Sequence, residues 1–388
     1  MPYPESTRDI SENQNPVFKH SANFKKMDKN YTVIKCSSLQ EVNDETVKVH
    51  FPAIVLLVFE MVLGAIGNCI AAYIYHYKFE VSSTQIFIVA LSMYDFLAST
   101  ICIPMEIVLL HRLYTFEYDT TCRLIRSFVA LTIISSALIV IIISIDRYIL
   151  ICRPLNQKIS IKNSKRIIAV LASLSFLFCI PVSFVYRKHY REVKQCGRIG
   201  TVCSLSEKSI FPLIYYTTVL VFCALSFIIL MVIYLLIGIR IWKIYRAKQL
   251  KNAICNSVAN ENSVKSIEDT RWPSLKHLTS VKLFTSGTSG MRIRKHSMHP
   301  FRTTLLLFVL TLIWTMSYVP HFIGTFRRMF TKNFNDSTTH KQQLTYHLLT
   351  YSYYIICAAN PYIYGLFCQH FRSELMFILR KMFVCCKK

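Results

Sequence analysis

The sequence predicts an all-α membrane protein, a bundle of seven transmembrane helices. Three observations lead to this fold class. The composition is 53% hydrophobic and only 17% charged, whereas soluble domains average about 25% charged residues. Seven apolar stretches are each long enough to cross a bilayer as a helix, which takes about 20 residues. They are also too long and too uniformly apolar to alternate as the strands of a membrane β-barrel.

The seven predicted spans are separated by polar segments. They are Phe51–Tyr75, Gln85–Leu110, Leu124–Ile151, Ile167–Tyr186, Ile210–Trp242, Thr303–Phe326 and Leu344–Phe367. The chain then divides into a disordered, glycosylated N-terminal tail at 1–50, spans one to five at 51–242, a disordered loop at 243–300, spans six and seven at 301–367, and a C-terminal segment at 368–388. The loop is rich in Ser, Thr, Asn and Lys and has no apolar periodicity, which is typical of disorder.

The distribution of charge predicts that the N-terminus lies outside the cell. With this orientation the inner segments carry twice as many Lys and Arg residues as the outer loops, as the positive-inside rule requires. Two Asn-x-Ser/Thr sequons, at Asn30 and Asn335, then both lie outside, where glycosylation occurs. We therefore expect a multi-pass protein of the plasma membrane. Its net charge of +24 favours the bilayer and an acidic inner partner rather than nucleic acid, although topology signalling alone also explains the basic inner segments.

Polar residues inside apolar spans are costly unless they are paired or hydrated, so they indicate function. Span three begins near Cys122 and ends in Asp146-Arg147-Tyr148. Span seven ends in Asn360-Pro361-Tyr362-Ile363-Tyr364, and an amphipathic stretch, Phe371–Val384, follows it. Span one contains Gly67-Asn68, and span two contains an acid, Asp95, near mid-membrane.

Taken together, these motifs resemble the rhodopsin-like (class A) G-protein-coupled receptors, and the likeness is to neuropeptide receptors of the invertebrate type. The resemblance covers roughly Phe51 to Cys386 outside the long loop. It implies an eighth helix on the membrane surface, a disulfide between Cys122 and Cys203, and palmitoylation of Cys385 and Cys386, which could equally stay free. A second disulfide, between Cys36 and Cys196, is a further expectation.

The resemblance also implies a switch at the inner end of the bundle. Its residues would be Asp146, Arg147, Tyr148, Tyr234, Tyr318, Pro320, Asn360, Pro361 and Tyr364. Arg147 is expected to pair with Asp146 at rest, and outward movement of span six about Pro320 would open a cavity for a Gα subunit. Receptor kinases would then phosphorylate the long inner loop, and arrestin would bind it.

Several positions depart from the family pattern. The residues Ile356 and Cys357 replace two polar residues of span seven, so the acid Asp95 and its neighbour Ser136 are either a sodium site or a hydrogen-bonded structural pair. The region from Met291 to Phe326 contains no Asp or Glu, so it lacks the acid that usually latches Arg147 to span six. We therefore expect measurable basal signalling, unless other packing contacts hold the resting state.

The ligand is expected to be a peptide. The position where amine receptors carry an acid is Val129, and span seven has no Lys for a retinal Schiff base; its matching residue is Tyr354. Two short segments around Gly197–Gly200 predict a β-hairpin over the outer mouth. Glu106 could bind a basic ligand group or could pair with Arg126 instead. The residues expected to line the pocket are Glu106, Arg126, Val129, His321, Phe322, Tyr346, Thr350 and Tyr354.

Three other classes of function are alternatives to a peptide receptor. A receptor for a lipid or another small molecule stays open, because the outer loops are also basic. A seven-span transporter would need a polar path through the membrane, and only Asp95 and Glu60 are acids deep in the spans. An enzyme is not expected, because no nucleophile–base pair, phosphate loop or metal cluster is visible, and no cofactor is expected beyond the sodium ion.

Overall fold

The structure is a computed structural model that describes residues 38–154, 158–193, 197–206, 209–268, 300–331 and 339–385. Five residues with predicted roles lie outside this part of the chain, and their sites stay predictions. They are Asn30, Cys36, Cys196, Asn335 and Cys386.

The described residues are mainly helical. The helices are α1 (Leu39–Lys78), α2 (Ser83–His111), α3 (Asp119–Cys152), α4 (Ile161–Val185), α5 (Phe211–Glu268), α6 (Pro300–Phe330) and α8 (Gln369–Cys385). Helix α7 consists of His340–Tyr351, a 3₁₀ turn at Ser352–Tyr354, and Ile355–Phe367. Two strands, β1 (Tyr186–Val193) and β2 (Arg198–Leu205), join α4 to the segment before α5.

Helices α1 to α6 are each long and apolar enough to cross a membrane. Helix α7 is the seventh, but the 3₁₀ turn divides it into two shorter pieces. Its first piece begins with a capping box, in which Thr339 and Gln342 exchange side-chain and backbone hydrogen bonds. The predicted bundle of seven helices is therefore confirmed, with a broken seventh member.

Helix α1 begins at Leu39 rather than at the predicted start of span one, Phe51. The Ser38 side chain caps it by accepting a hydrogen bond from the Glu41 amide. The side chain of Asn43 is buried and bonds to the His111 carbonyl and the Tyr114 amide. The prediction that the whole of 1–50 is disordered is therefore wrong for 39–50, because polar residues of this extension find partners beside α2.

Helix α5 also exceeds its prediction. It continues from the apolar stretch through residues 243–268, which were assigned to a disordered loop. That assignment is wrong for these residues. Ala, Lys, Gln and Leu in the run 247–251 have high helix propensity, which favours continuation of the helix beyond the apolar part. Residues 269–299 lie outside the described part of the chain.

Strands β1 and β2 form the predicted hairpin as an antiparallel pair, with Lys188 opposite Cys203. Gly197 turns the chain with a φ of 58°, a conformation that glycine adopts without strain. We call the end of the bundle that carries these strands the hairpin end, and the opposite end the Arg147 end. At the Arg147 end, the buried Phe371 of α8 packs against both Tyr75 and Tyr364 and fixes that amphipathic helix to the bundle.

Candidate functional site

The hairpin is fixed to the bundle by covalent and polar contacts. The predicted disulfide between Cys122 and Cys203 is confirmed and ties α3 to β2. The Asp119 carboxylate accepts a hydrogen bond from the Lys188 amide at 2.7 Å. At Gly200 the backbone passes so close to the chain before α3 that a Cβ would lie 2.9 Å from the Tyr114 carbonyl oxygen. These contacts therefore hold the hairpin in place as a lid over the bundle.

An ion pair lies beneath this lid. The Arg126 guanidinium donates to the Glu106 carboxylate at 2.5 Å, and the Glu106 side chain is fully buried. The same guanidinium lies 5.0 Å above the ring centroid of Tyr186 on β1, a favourable cation–π arrangement. The Tyr186 hydroxyl in turn hydrogen-bonds that of Tyr216 on α5 at 2.6 Å. Four elements of the hairpin end therefore meet at one buried charge pair.

A second group of polar contacts joins α6 to α7. The His321 imidazole bonds to the Thr350 carbonyl at 2.7 Å and contacts the Tyr353 ring edge to face at 4.9 Å. The Arg328 guanidinium donates to the Tyr346 hydroxyl at 3.2 Å. These contacts align the α6 and α7 residues of the predicted pocket.

The predicted pocket residues thus divide into two sets. Glu106 and Arg126 pair with each other, and His321, Thr350 and Tyr346 bond between helices. The rest, Val129, Phe322 and Tyr354, are buried in the apolar core below.

Sequence reasoning missed Arg328 and Tyr186. Arg328 stands seven residues after His321, which places both on one face of α6, so spacing could have found it. No sequence signal indicated that Tyr186, at the start of the hairpin, lies over Arg126.

A polar cluster occupies the middle of the bundle. The Asp95 carboxylate accepts hydrogen bonds from Ser136 at 2.9 Å and from the Asn360 amide at 2.5 Å. The Asn68 amide donates to the Cys357 carbonyl at 2.7 Å. A cavity of about 10 Å³ adjoins Asp95, with room for about one water-sized sphere. These contacts tie α1, α2, α3 and α7 together at one level.

Pro361 packs directly against Gly67 of α1. A Cβ on Gly67 would lie 2.9 Å from the Pro361 Cγ atom, so only glycine fits at this crossing. One turn further, Tyr364 is buried, contacts the Tyr75 ring at 5.3 Å, and its hydroxyl has no hydrogen-bond partner among the described residues. The end of α7 therefore packs on α1 through Pro361 and the ring of Tyr364.

The Arg147 end differs from the expectation for the resting state. The Asp146 carboxylate accepts hydrogen bonds from Ser83 at 2.7 Å and Thr84 at 2.5 Å, both on α2. Within the described residues Arg147 forms no ion pair, so the pairing of Asp146 with Arg147 that was expected at rest is not present in this arrangement. Neighbouring residues on a helix point in different directions, and α2 offers Asp146 two hydroxyl donors.

Tyr234 joins three helices near this end. Its hydroxyl hydrogen-bonds Ser144 of α3 at 2.6 Å and accepts from Thr311 of α6 at 2.9 Å. Also on α6, Tyr318 packs against Trp314 with ring centroids 5.0 Å apart, two residues before Pro320. Tyr148 is half-buried at the end of α3, and Arg153 lies 6.0 Å from its ring centroid. Cys385 ends α8, but its side chain is not described.

Comparison with known proteins gives consistent matches. A family model described as 7 transmembrane receptor (rhodopsin family) matches residues 67–364. The chain is 23% identical over 360 residues to neuromedin-U receptor 1 of Mus musculus, covering 90% of this chain and 78% of that protein. It is 22% identical to the Rattus norvegicus receptor over the same shares, and 22% identical to the Homo sapiens receptor over 82% of this chain and 70% of that protein.

Proposed function

The chain belongs to the rhodopsin family of seven-transmembrane receptors, and from this membership we propose that it binds an extracellular peptide and activates a heterotrimeric G protein. The names of its relatives support a ligand related to neuromedin-U. The observation that carries the proposal is the buried pair of Glu106 and Arg126 beneath the hairpin. A buried charge pair is costly to keep, which favours a role in recognising a charged group.

We propose that ligand binding exchanges partners at this pair. A cationic group of the peptide replaces Arg126 at the Glu106 carboxylate, and the released guanidinium binds an oxygen of the ligand. The stacking of Arg126 on Tyr186 gives the displaced side chain a favourable position. Because Tyr186 belongs to β1, the exchange also links the lid to the ligand.

Two variants separate this role from a structural one. Glu106→Gln removes the negative charge and is expected to weaken a basic peptide by about ten-fold or more, since breaking a buried charge pair costs at least that. A charge swap, Glu106→Arg with Arg126→Glu, keeps an ion pair but reverses it. Recovery of the response in the swap would mean that the pair only supports the fold, whereas continued loss supports ligand recognition.

The ligand itself is testable by a screen. Cells that express the receptor are exposed to a peptide library that includes neuromedin-U-related sequences, and calcium and cyclic AMP are recorded together. A response to a basic peptide supports the proposal and identifies the G-protein class. A response confined to lipids or other small molecules would replace the peptide part of the proposal and leave the receptor function in place.

We further propose that the N-terminus lies outside, so that the hairpin end faces the ligand and the Arg147 end faces the G protein. The charge distribution of the loops supports this orientation. Epitope tags on the two termini should then react on opposite sides of intact cells. Reaction of both tags on one side would contradict the proposed orientation.

In the proposed activation step, α6 moves outward about Pro320 and a Gα helix enters at the Arg147 end. Arg147 and Tyr234 turn into the opened cavity, and Tyr148 lies at its margin. Asn360 and Pro361 allow α7 to bend, and Tyr364 moves with the end of this helix. Its hydroxyl has no partner to lose among the described residues. The differential affinity of the ligand for the two states supplies the driving force.

The Asp95 cluster fits a sodium ion only in part. Hard cations take several oxygen ligands. Both carboxylate oxygens of Asp95 already accept hydrogen bonds, from Ser136 and Asn360, and the nearby Ile356 and Cys357 supply no side-chain oxygen. We therefore propose that Asp95 acts through its hydrogen bonds to Ser136 and Asn360. Equal agonist affinity in sodium and in a bulky organic cation supports this role, and lower affinity in sodium would assign an ion to the site.

Receptor kinases, arrestin and palmitoylation complete the proposal. Phosphorylation is expected in the segment between α5 and α6, and acyl chains are expected on Cys385 and Cys386. Removal of the Ser and Thr residues at 269–299 should abolish agonist-dependent arrestin recruitment. Hydroxylamine-sensitive palmitate labelling should disappear when both cysteines are replaced by Ser.

A further inference from the structure

A large apolar groove lies between α5 and α6, toward the Arg147 end. Its volume is about 950 Å³, at the upper limit of the ~300–1,000 Å³ of small-molecule sites. The lining consists mainly of apolar and aromatic side chains. They include Leu235, Gly238, Ile239, Trp242, Leu305 and Phe308.

Gly238 creates the depth of this groove. A Cβ added there would meet no heavy atom within 4 Å. Leu235, Ile239 and Trp242 lie one turn apart around it and expose 63%, 42% and 57% of their surfaces. Residues at this spacing form one continuous stripe along a helix. The groove is therefore an extended apolar channel parallel to α5.

Aromatic and basic residues mark one end of the channel. Trp242 and Tyr245 line it, and these two residue types are enriched where a membrane meets water. The Arg246 guanidinium lies 5.3 Å above the Trp242 ring centroid and forms no ion pair within the described part of the chain. The sequence from 211 to 260 contains no Asp or Glu. The apolar channel thus ends at an uncompensated positive charge.

We propose that this groove binds one anionic glycerophospholipid, with an acyl chain beside Gly238 and the phosphate at Arg246. An apolar channel that ends in a cation complements an amphiphile with a long tail and an anionic head. Within a bilayer the tail gains little hydrophobic energy by leaving bulk lipid. Selectivity for this lipid must therefore come from the charge at Arg246 and from packing in the groove. The site goes beyond the proposed function and does not depend on the peptide.

The test uses the full chain in nanodiscs of phosphatidylcholine with a minor fraction of phosphatidylserine. Both leaflets then contain the anionic lipid, so the result is independent of membrane orientation. The receptor is extracted in a mild detergent, and the lipids that remain bound are counted by native mass spectrometry. We expect one retained phosphatidylserine above the level of non-specific binding.

Two pairs of variants locate the bound lipid. Gly238→Leu fills the channel and should abolish the excess of phosphatidylserine, whereas Gly365→Leu, at another glycine with open space around its Cβ, should retain it. Arg246→Gln should lower the enrichment about five-fold, which equals about 1 kcal/mol. Lys243→Gln also removes a positive charge, but one that lies outside the stripe of channel residues, and it should have little effect on the enrichment.

Three outcomes would overturn the proposal. Equal retention of the neutral and the anionic lipid by the wild type would remove the role of charge. An equal loss of phosphatidylserine enrichment in Lys243→Gln and Arg246→Gln would show that only a general electrostatic attraction retains the lipid. Unchanged retention in Gly238→Leu would show that the retained lipid does not bind in the groove, which would then be a site for a protein partner. Thermal unfolding of each variant in the same detergent shows whether it is folded.

Discussion

Removal of the Thr311 hydroxyl should raise signalling in the absence of ligand. This hydroxyl donates to the Tyr234 hydroxyl at 2.9 Å and thereby ties α6 to α5 and α3. Outward movement of α6 must break that bond, so the bond stabilises only the resting arrangement. Thr311→Val keeps the volume of the side chain and deletes the donor, while Tyr234 itself stays intact for its proposed contact with the G protein.

The magnitude follows from the strength of one hydrogen bond. A buried neutral hydrogen bond contributes about 1 kcal/mol net, which changes the ratio of the two states about five-fold. While the active fraction is small, basal second-messenger output should rise by about that factor. The sequence between Met291 and Phe326 offers no acid that could hold α6 to Arg147 instead, so this hydroxyl contact carries more of the restraint.

The assay compares agonist-free cyclic AMP and inositol phosphate at equal surface expression. Thr315→Val is the matched control, because its hydroxyl donates to the Thr311 carbonyl at 2.9 Å, within α6 itself. It deletes a similar bond without untying two helices. Basal output in Thr311→Val that is equal to or below that of Thr315→Val would refute the reasoning.

Three other perturbations have expected outcomes. Gly67→Ala should lower thermal stability by about 1–3 kcal/mol through its clash with Pro361, although Ala has the higher helix propensity. Gly365→Ala places its methyl group in open space and should leave stability unchanged. Equal melting temperatures of the two variants would contradict the packing argument. Asp146→Asn offers one acceptor oxygen in place of two, so it should loosen α2 from α3 and raise basal output; an unchanged basal level would argue against this contact as a restraint. Cys203→Ser removes the disulfide that holds the hairpin and should weaken agonist potency. A reducing agent should have the same effect on the wild type. Full potency after either treatment would show that the hairpin needs no disulfide to function as a lid.

Local patterns predicted the number of helices but not all of their ends. The apolar stretches located the spans, because hydrophobic length is a property of consecutive residues. The ends of α1 and α5 were missed because the segment around Asn43 is polar and the run 247–251 mixes charged with apolar residues. Such residues indicate a loop by composition, yet they extend a helix when it has partners or high propensity. The apolar pattern likewise did not predict the 3₁₀ turn at Ser352–Tyr354 that divides α7.

The candidate site was predicted unevenly for the same reason. The glycine-bounded turn predicted the hairpin, and the family resemblance implied the disulfide of Cys122 and Cys203. Sequence reasoning left the partner of Glu106 open, because two residues on different helices meet only through packing. It also assigned Asp146 to its neighbour Arg147, although the carboxylate points toward α2. Adjacency in sequence is a poor guide to contact on a helix, since successive side chains diverge.

The sequence by itself determined that this chain crosses a membrane seven times and belongs to the receptor architecture, because hydrophobic length and the spacing of polar motifs are written along one dimension. Only the tertiary structure decided which charges and hydroxyls meet: Glu106 with Arg126, Asp146 with α2, and Tyr234 with Thr311. It also showed the groove beside Gly238. These features depend on the relative rotation and depth of neighbouring helices, which are set by packing across the whole bundle.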